Sequence, residues 1–285
     1  MTPIHRFNEE QRTRWNGIEG EYWTSHYDRL DRTLSPVTTP LLAFAAPRPG
    51  STVIDVGCGC GATTIEIVRA VGSAGKVIGL DISEPMLTLA RQRLAEFSNA
   101  TCRLGDASEL PLDDLRADLL VSRFGVMFFG DPIAAFANLR TGLAPAGRLR
   151  FACWRPIEEN PWLQIPLHAV HRHAPRLPQP EPEEPGPFAF ADTTRVTRIL
   201  TAAGFTVPSF TPLDIQVDLA AGGTLDDAVR RSSEMGPAKR ALEDQPDDIR
   251  AAALDSIRRA LTRFATPGGV SLPGAVWLVA ADHAD

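Results

Sequence analysis

Asp55-Val56-Gly57-Cys58-Gly59-Cys60-Gly61 decides how this chain is read. It continues Thr52-Val53-Ile54, a short β-branched run of the kind that forms a strand buried on both faces. After it, Ala62 to Val71 has the spacing of a helix. Strand, glycine turn and helix together form a general nucleotide cradle. Glycines let the backbone approach the ligand closely, and the helix N-terminus offers unpaired N–H groups and a partial positive charge. Dinucleotide-binding proteins use a related turn, G-x-G-x-x-G, so the turn alone does not choose the ligand.

Working outward, the alternation continues. Lys76 to Asp81 reads as a second strand, and Glu84 to Phe97 as a helix with Ser83 at its N-cap and Pro85 in its first turn. Thr101 to Leu104 is a third strand and Asp118 to Ser122 a fourth. Pro132 to Leu143 is a helix, and Arg148 to Trp154 a fifth strand. Further on, Asp192 caps a helix ending near Ala203 and Gly204, strands are expected at Asp214 to Leu219 and Ala275 to Ala281, and Leu225 to Phe264 is helix-rich. Strands alternating with helices at this pitch predict an α/β, doubly wound sheet with right-handed crossovers.

Three acids narrow the ligand. Asp55 closes the first strand just before the glycines, where a carboxylate repels a pyrophosphate but suits a cation such as an amino acid's ammonium. Asp81 closes the second strand, where an acid accepts from ribose hydroxyls, as it does in nicotinamide enzymes too. Asp106 follows the third strand in Gly105-Asp106-Ala107, within reach of an adenine amine. The set describes a ligand with an ammonium end, a ribose and an adenine.

With these motifs quoted, the chain resembles the class I methyltransferases that use S-adenosylmethionine (SAM). The resemblance runs from about Trp15 through Trp154. Ser122-Arg123-Phe124-Gly125-Val126-Met127-Phe128-Phe129 and Cys153-Trp154-Arg155-Pro156 resemble more narrowly a diverse group of bacterial small-molecule methyltransferases. It implies a Rossmann-like, mostly parallel seven-stranded sheet of order 3-2-1-4-5-7-6, last strand antiparallel. It also implies SAM as cofactor, a small-molecule acceptor and methyl transfer by in-line displacement. By the same resemblance Asp55, with the backbone at Gly57, Cys58 and Gly59, holds the methionine part. Asp81 holds the ribose, with Ile82 and Met86 beside the adenosine. Asp106 and Ala107 flank the adenine, and Arg123 and Phe124 lie under the methionine end. Cys60 departs from the small or hydroxyl residue common at its place.

The regular pattern is framed by other segments. Residues 1–48 are expected to form an N-terminal helical lid, with helices between about Asn8 and Thr33 and a short one at Leu41 to Ala46 between prolines. Trp15, Tyr22, Trp23 and Tyr27 give it an aromatic face. That face either packs on the core or covers the cofactor's sulfonium, with Tyr22 and Trp23 as the candidates to reach it. Residues 49–154 are the SAM-binding core. Residues 155–190, with prolines at 175, 178, 180, 182, 185 and 187, read as an extended cap insertion, and 191–285 as the rest of the sheet with a helical insertion at 225–264.

Composition limits the alternatives. The 285 residues are 44% apolar, carry a formal charge of -6 and have no basic run, which argues against nucleic acid or an anionic membrane as partner. The polar N-terminus lacks the apolar centre of a signal peptide, and with four cysteines outside any C-x-x-C pair a cytoplasmic, reduced protein is expected, with a homodimer as the candidate assembly. Cys58 and Cys60 read as small turn residues, not metal ligands, and no metal is expected. His26, His168 and His171 are the candidate proton acceptors, although surface or cap roles account for each of them more simply. Two other functions stay open at this point: an NAD(P)-dependent oxidoreductase, and a SAM-binding protein without transferase activity.

Overall fold

Val53, Ile54 and Val56 are buried, as are Val77, Ile78, Leu80, Leu119, Leu120 and Val121 on the strands to either side, so these strands form the covered middle of a sheet. The computed structural model describes residues 3–178 and 184–284; Pro180 and Pro182 of the expected cap loop, and Met1 and Thr2, lie outside the described residues. The parallel strands are β1 (Thr52–Val56), β2 (Lys76–Asp81), β3 (Ala100–Leu104), β4 (Ala117–Arg123) and β5 (Leu143–Trp154). β6 (Ser209–Asp218) and the long β8 (Gly269–Asp282) complete the order β3-β2-β1-β4-β5-β8-β6, with β8 antiparallel to both neighbours. A two-residue strand, β7 (Ala265–Thr266), pairs with β8 off this path. Setting that short strand aside, the order and the antiparallel last strand are those the resemblance implies.

The helices are α1 (Pro3–Asn16), α2 (Ile18–Ser25), α3 (Tyr27–Ala45), α4 (Ala62–Val71), α5 (Glu84–Arg93), α6 (Pro132–Thr141), α7 (Pro161–Val170), α8 (Thr193–Ala202), α9 (Leu225–Glu234), α10 (Gly236–Leu242) and α11 (Asp247–Leu261). Ser83 caps α5 by accepting from the Met86 N–H, and Asp192 caps α8 by accepting from the Thr194 N–H. Among the described residues, no helix is long and apolar enough to cross a membrane.

Two expectations are corrected. The short helix at Leu41 to Ala46 is the end of α3, which runs unbroken through Pro36 and Pro40. Pro36 has no N–H for the Arg32 carbonyl, and the Ser35 hydroxyl supplies the missing bond at 2.8 Å. The buried stripe Leu30, Leu34, Val37 and Leu41 holds the helix on the sheet, and Arg148 of β5 donates to the Ala45 and Ala46 carbonyls at its C-terminus. The 155–190 segment is also not all extended. It contains α7, whose Pro161 occupies the first helical turn, where no N–H is needed. α7 packs on α9, α10 and α11, so the two insertions form one helical layer.

Candidate functional site

The turn after β1 is held from two sides. The N–H groups of Gly57 and Cys58 both donate to the Leu80 carbonyl of β2, at 2.8 and 3.0 Å. The Gly59 N–H donates to Asp81 Oδ2 at 2.7 Å, and the Ser83 N–H to Asp81 Oδ1 at 2.9 Å. Gly57 has a φ of +67°, and a Cβ on it would lie 2.6 Å from Gly125 Cα, so the turns after β1 and β4 cross here with no room for a side chain. The two turns leave the adjacent strands β1 and β4, where the sheet order reverses, the usual ligand-binding place of an open α/β sheet.

A cavity of about 630 Å³ opens above these turns. Its wall includes Tyr22, Trp23, Gly57, Cys58, Gly59, Asp81, Ile82, Met86, Asp106, Ala107, Arg123 and Phe124, twelve of the expected cofactor residues, drawn from six separate segments. Asp55, the thirteenth, is not in the wall. It is buried behind the turn, where Oδ2 accepts from Thr64 Oγ1 at 2.6 Å and Oδ1 has no partner. Burial pushes its carboxyl up to about 6, against the opposing pull of the Thr64 bond and the Arg123 charge. Burial likewise raises Asp81, partly offset by its backbone bonds. Each Asp81 oxygen accepts one backbone bond in the structure and retains capacity for another. Asp106 turns its Oδ1 onto the N–H and hydroxyl of Ser108, at 2.9 and 2.7 Å.

His26, His168 and His171 do not line the cavity. His26 stacks on the outer side of Tyr22 at 4.4 Å, its Nδ1 paired with the Tyr22 carbonyl. His168 lies within α7, and His171 follows its end, with Nε2 accepting from the Leu177 N–H. Burial and the neighbouring Arg176 charge lower the His171 imidazole.

Several wall residues escaped the sequence reading. α1 and α2 are fastened over the site: Ser83 Oγ donates to the Trp15 carbonyl at 2.6 Å, and Asn16 Nδ2 donates to the Ile82 carbonyl at 2.9 Å. The Trp15 ring packs edge-on to Phe128 and Trp23. From the other side Glu234 at the end of α9 accepts from the Tyr22 hydroxyl at 3.4 Å, and Lys239 of α10 bonds Glu19 at 2.7 Å. Burial pushes the Tyr22 phenol up to about 12, so it stays a donor. Phe124, itself at a φ of +70°, stacks on Trp154 at 4.2 Å, and both rings line the cavity. Beside the turn, Arg93 donates to the Cys60 carbonyl and to Asp31, while half-buried Arg123 donates to Thr38. Glu19, Glu234 and Lys239 lie far apart in the chain, and nothing in the local pattern marks them as neighbours.

The sequence and the fold both have relatives. Residues 53–147 match the family model described as a methyltransferase domain. A demethylmenaquinone methyltransferase of Staphylococcus aureus (strain MRSA252) is 38% identical over 126 residues, 42% of this chain and 52% of that protein. The chain thus spans about half the length of the curated relatives it matches. Among solved structures, YcgJ of Bacillus subtilis aligns over 87% of this chain and 98% of its own, with a TM-score of 0.56 at 15% identity. The [4+2]-cyclase SpnF aligns over 93% of this chain and 96% of its own, with a TM-score of 0.53 at 16% identity. At these identities the structures show a shared fold, and the fold alone does not choose the chemistry.

Proposed function

We propose that this chain, built on a methyltransferase domain at residues 53–147, moves a methyl group from SAM to a small-molecule acceptor. The observation that carries the reading is the convergence of the β1 turn, Asp81-Ile82, Asp106-Ala107 and Arg123-Phe124 on one cavity. The residues fit that cofactor. Asp55, buried behind the turn and outside the cavity wall, takes no part in this fit; it is held by Thr64 and supports the turn from below. Asp81 has acceptor capacity left for ribose hydroxyls. The two crossing turns admit backbone and ligand where a Cβ would collide.

SAM supplies an electrophilic methyl carbon on a sulfonium. The chain's own part is alignment and exclusion of water. Gly57 to Gly59 and Asp81 fix the donor, Met86 and Ile82 pack the adenosine, and Asp106 and Ala107 flank the base. Trp15, Trp23, Phe124 and Trp154 wall the cavity with aromatic faces, which attract a sulfonium. Phe128, Leu163 and Met235 line the same cavity and supply apolar surface for the acceptor. Residues 1–48 and the layer of α7, α9, α10 and α11 act as lid and cap, closed by the Tyr22–Glu234 and Glu19–Lys239 contacts.

Calorimetry with SAM, its demethylated product and NAD tests the reading. Binding of the first two without NAD is expected, and preferential NAD binding overturns it in favour of the oxidoreductase. Transfer of a labelled methyl group to small-molecule acceptors then separates a transferase from a protein that binds SAM without using it.

A further inference from the structure

Spacing along the chain pairs Cys58 with Cys60, but the sheet brings Cys58 to a different partner. In the ladder, Cys102 of β3 stands opposite Gly79 of β2, which stands opposite Asp55 of β1. Gly79 has no side chain, and the space is taken by Cys58: a Cβ on Gly79 would lie 2.8 Å from Cys58 Sγ. Side chains paired across neighbouring strands share a face, so Cys102 points to the same space. The two thiols therefore face the same gap over Gly79, where each shifts the other's titration. Cys102 is half-buried on the edge strand β3, whereas Cys58 is buried within the glycine turn.

We propose that Cys58 and Cys102 form a peroxide-oxidisable pair, and that their disulfide weakens cofactor binding by displacing the glycine turn; the second half rests on the cofactor reading above. The chemistry of the two thiols supports their roles. The neighbouring Cys58 thiol, and then the Arg91 charge, lower the Cys102 thiol against the effect of burial. Its thiolate is therefore the attacking group, and Cys58, held up by its neighbour Cys102 and by burial, is the resolving one. In the first step the Cys102 sulfur attacks hydrogen peroxide. An S–O bond forms, the O–O bond breaks and hydroxide leaves. In the second, Cys58 sulfur attacks the Cys102 sulfenic acid, an S–S bond forms, and water leaves with the Cys58 proton. Two thiols lose two electrons, and one peroxide is reduced to two waters.

The bond requires sulfurs at about 2.0 Å, shorter than any thiol hydrogen bond. Cys102 is fixed in a ladder, so the movement falls on the turn. That turn carries the Gly59–Asp81 bond and lines the cavity.

The test is titration of the whole protein with hydrogen peroxide, followed by peptide mapping without reduction and by SAM calorimetry. A linked Cys58–Cys102 peptide is expected, together with at least a tenfold loss of SAM affinity that dithiothreitol reverses. Cys102→Ser should give no linked peptide and keep its affinity within twofold under the same treatment. Sulfoxidation of Met86, which also lines the site, is not reversed by a thiol reductant and is thereby told apart. Absence of the linked peptide overturns the pair, and equal losses in wild type and Cys102→Ser overturn its effect on the turn. Untreated protein that binds no SAM overturns the cofactor reading and the effect on affinity with it, while the peptide map still decides the disulfide.

Discussion

The amide of Gly59 donates to the carboxylate of Asp81 at 2.7 Å, so the turn after β1 is shaped by the residue that ends β2. The same carboxylate holds the Ser83 amide at the start of α5. One side chain thus sets both the turn after β1 and the start of α5, the two elements proposed to hold the cofactor. In Asp81→Asn, an amide N–H must face one of these two backbone donors. We expect stability to fall by about 1–3 kcal/mol and SAM affinity by at least tenfold, measured by urea unfolding and calorimetry. Wild-type affinity in this variant would sink the assignment of Asp81.

Asp55 makes the pH dependence of stability unusual. Its folded carboxyl is raised to about 6 from 3.8 by burial. Such a group favours folding when protonated, and this contribution fades as pH rises through about 6. Asp55→Asn removes the titration. Relative to wild type it should gain stability on going from pH 4 to pH 7, by at most about 3 kcal/mol at 1.36 kcal/mol per pKa unit. Urea unfolding at both pH values checks it; a difference independent of pH contradicts the buried, ionising Asp55.

Two glycines in one turn should respond differently to alanine. A Cβ on Gly57 collides with Gly125 Cα at 2.6 Å, whereas one on Gly59 meets only Met86 Sδ at an ordinary 3.8 Å. Both carry positive φ, which costs an alanine about 1–2 kcal/mol. Gly57→Ala adds overpacking of about 1–3 kcal/mol and should show the larger drop in thermal midpoint.

The roof contacts should matter for binding more than for folding. Tyr22→Phe removes the hydroxyl that bonds Glu234, and Lys239→Ala removes the ion pair with Glu19. Each should change stability by under about 1 kcal/mol yet speed SAM release several-fold in stopped-flow displacement. Protection of the 171–192 segment from proteolysis by SAM would be weakened in both. Unchanged cleavage with and without SAM argues against a lid.

The strands, the turn and the acids at the ends of β1 and β2 were legible because each depends on local pattern: β-branched runs, glycine spacing, and caps such as Ser83 and Asp192. The sheet order came from the resemblance alone. Depth was not. Sequence puts Asp55 beside the glycines, yet which way its carboxylate points follows from the strand's pleat, and Thr64 of the next helix claims it. Proline spacing misled at α3 because a serine hydroxyl replaces the lost bond, and at 155–190 because the prolines from 175 onward lie beyond α7, which itself carries Pro161 in its first turn and Pro166 inside. The Tyr22–Glu234 contact joins residues 212 positions apart, and only the packing of the N-terminal helices against the helical insertion creates it.

β8 lies between β5 and β6, although it follows both in the chain. Until it is made, β5 ends in an unpaired edge and β6 has no neighbour at all. The parallel half from β1 to β5 must therefore wait during synthesis with an open, apolar flank, and β6 with it, exposed to pairing with other chains. A nascent chain stopped before Gly269 is thus a predicted aggregation hazard, and the final fourteen-residue strand acts as the fold's closing zip.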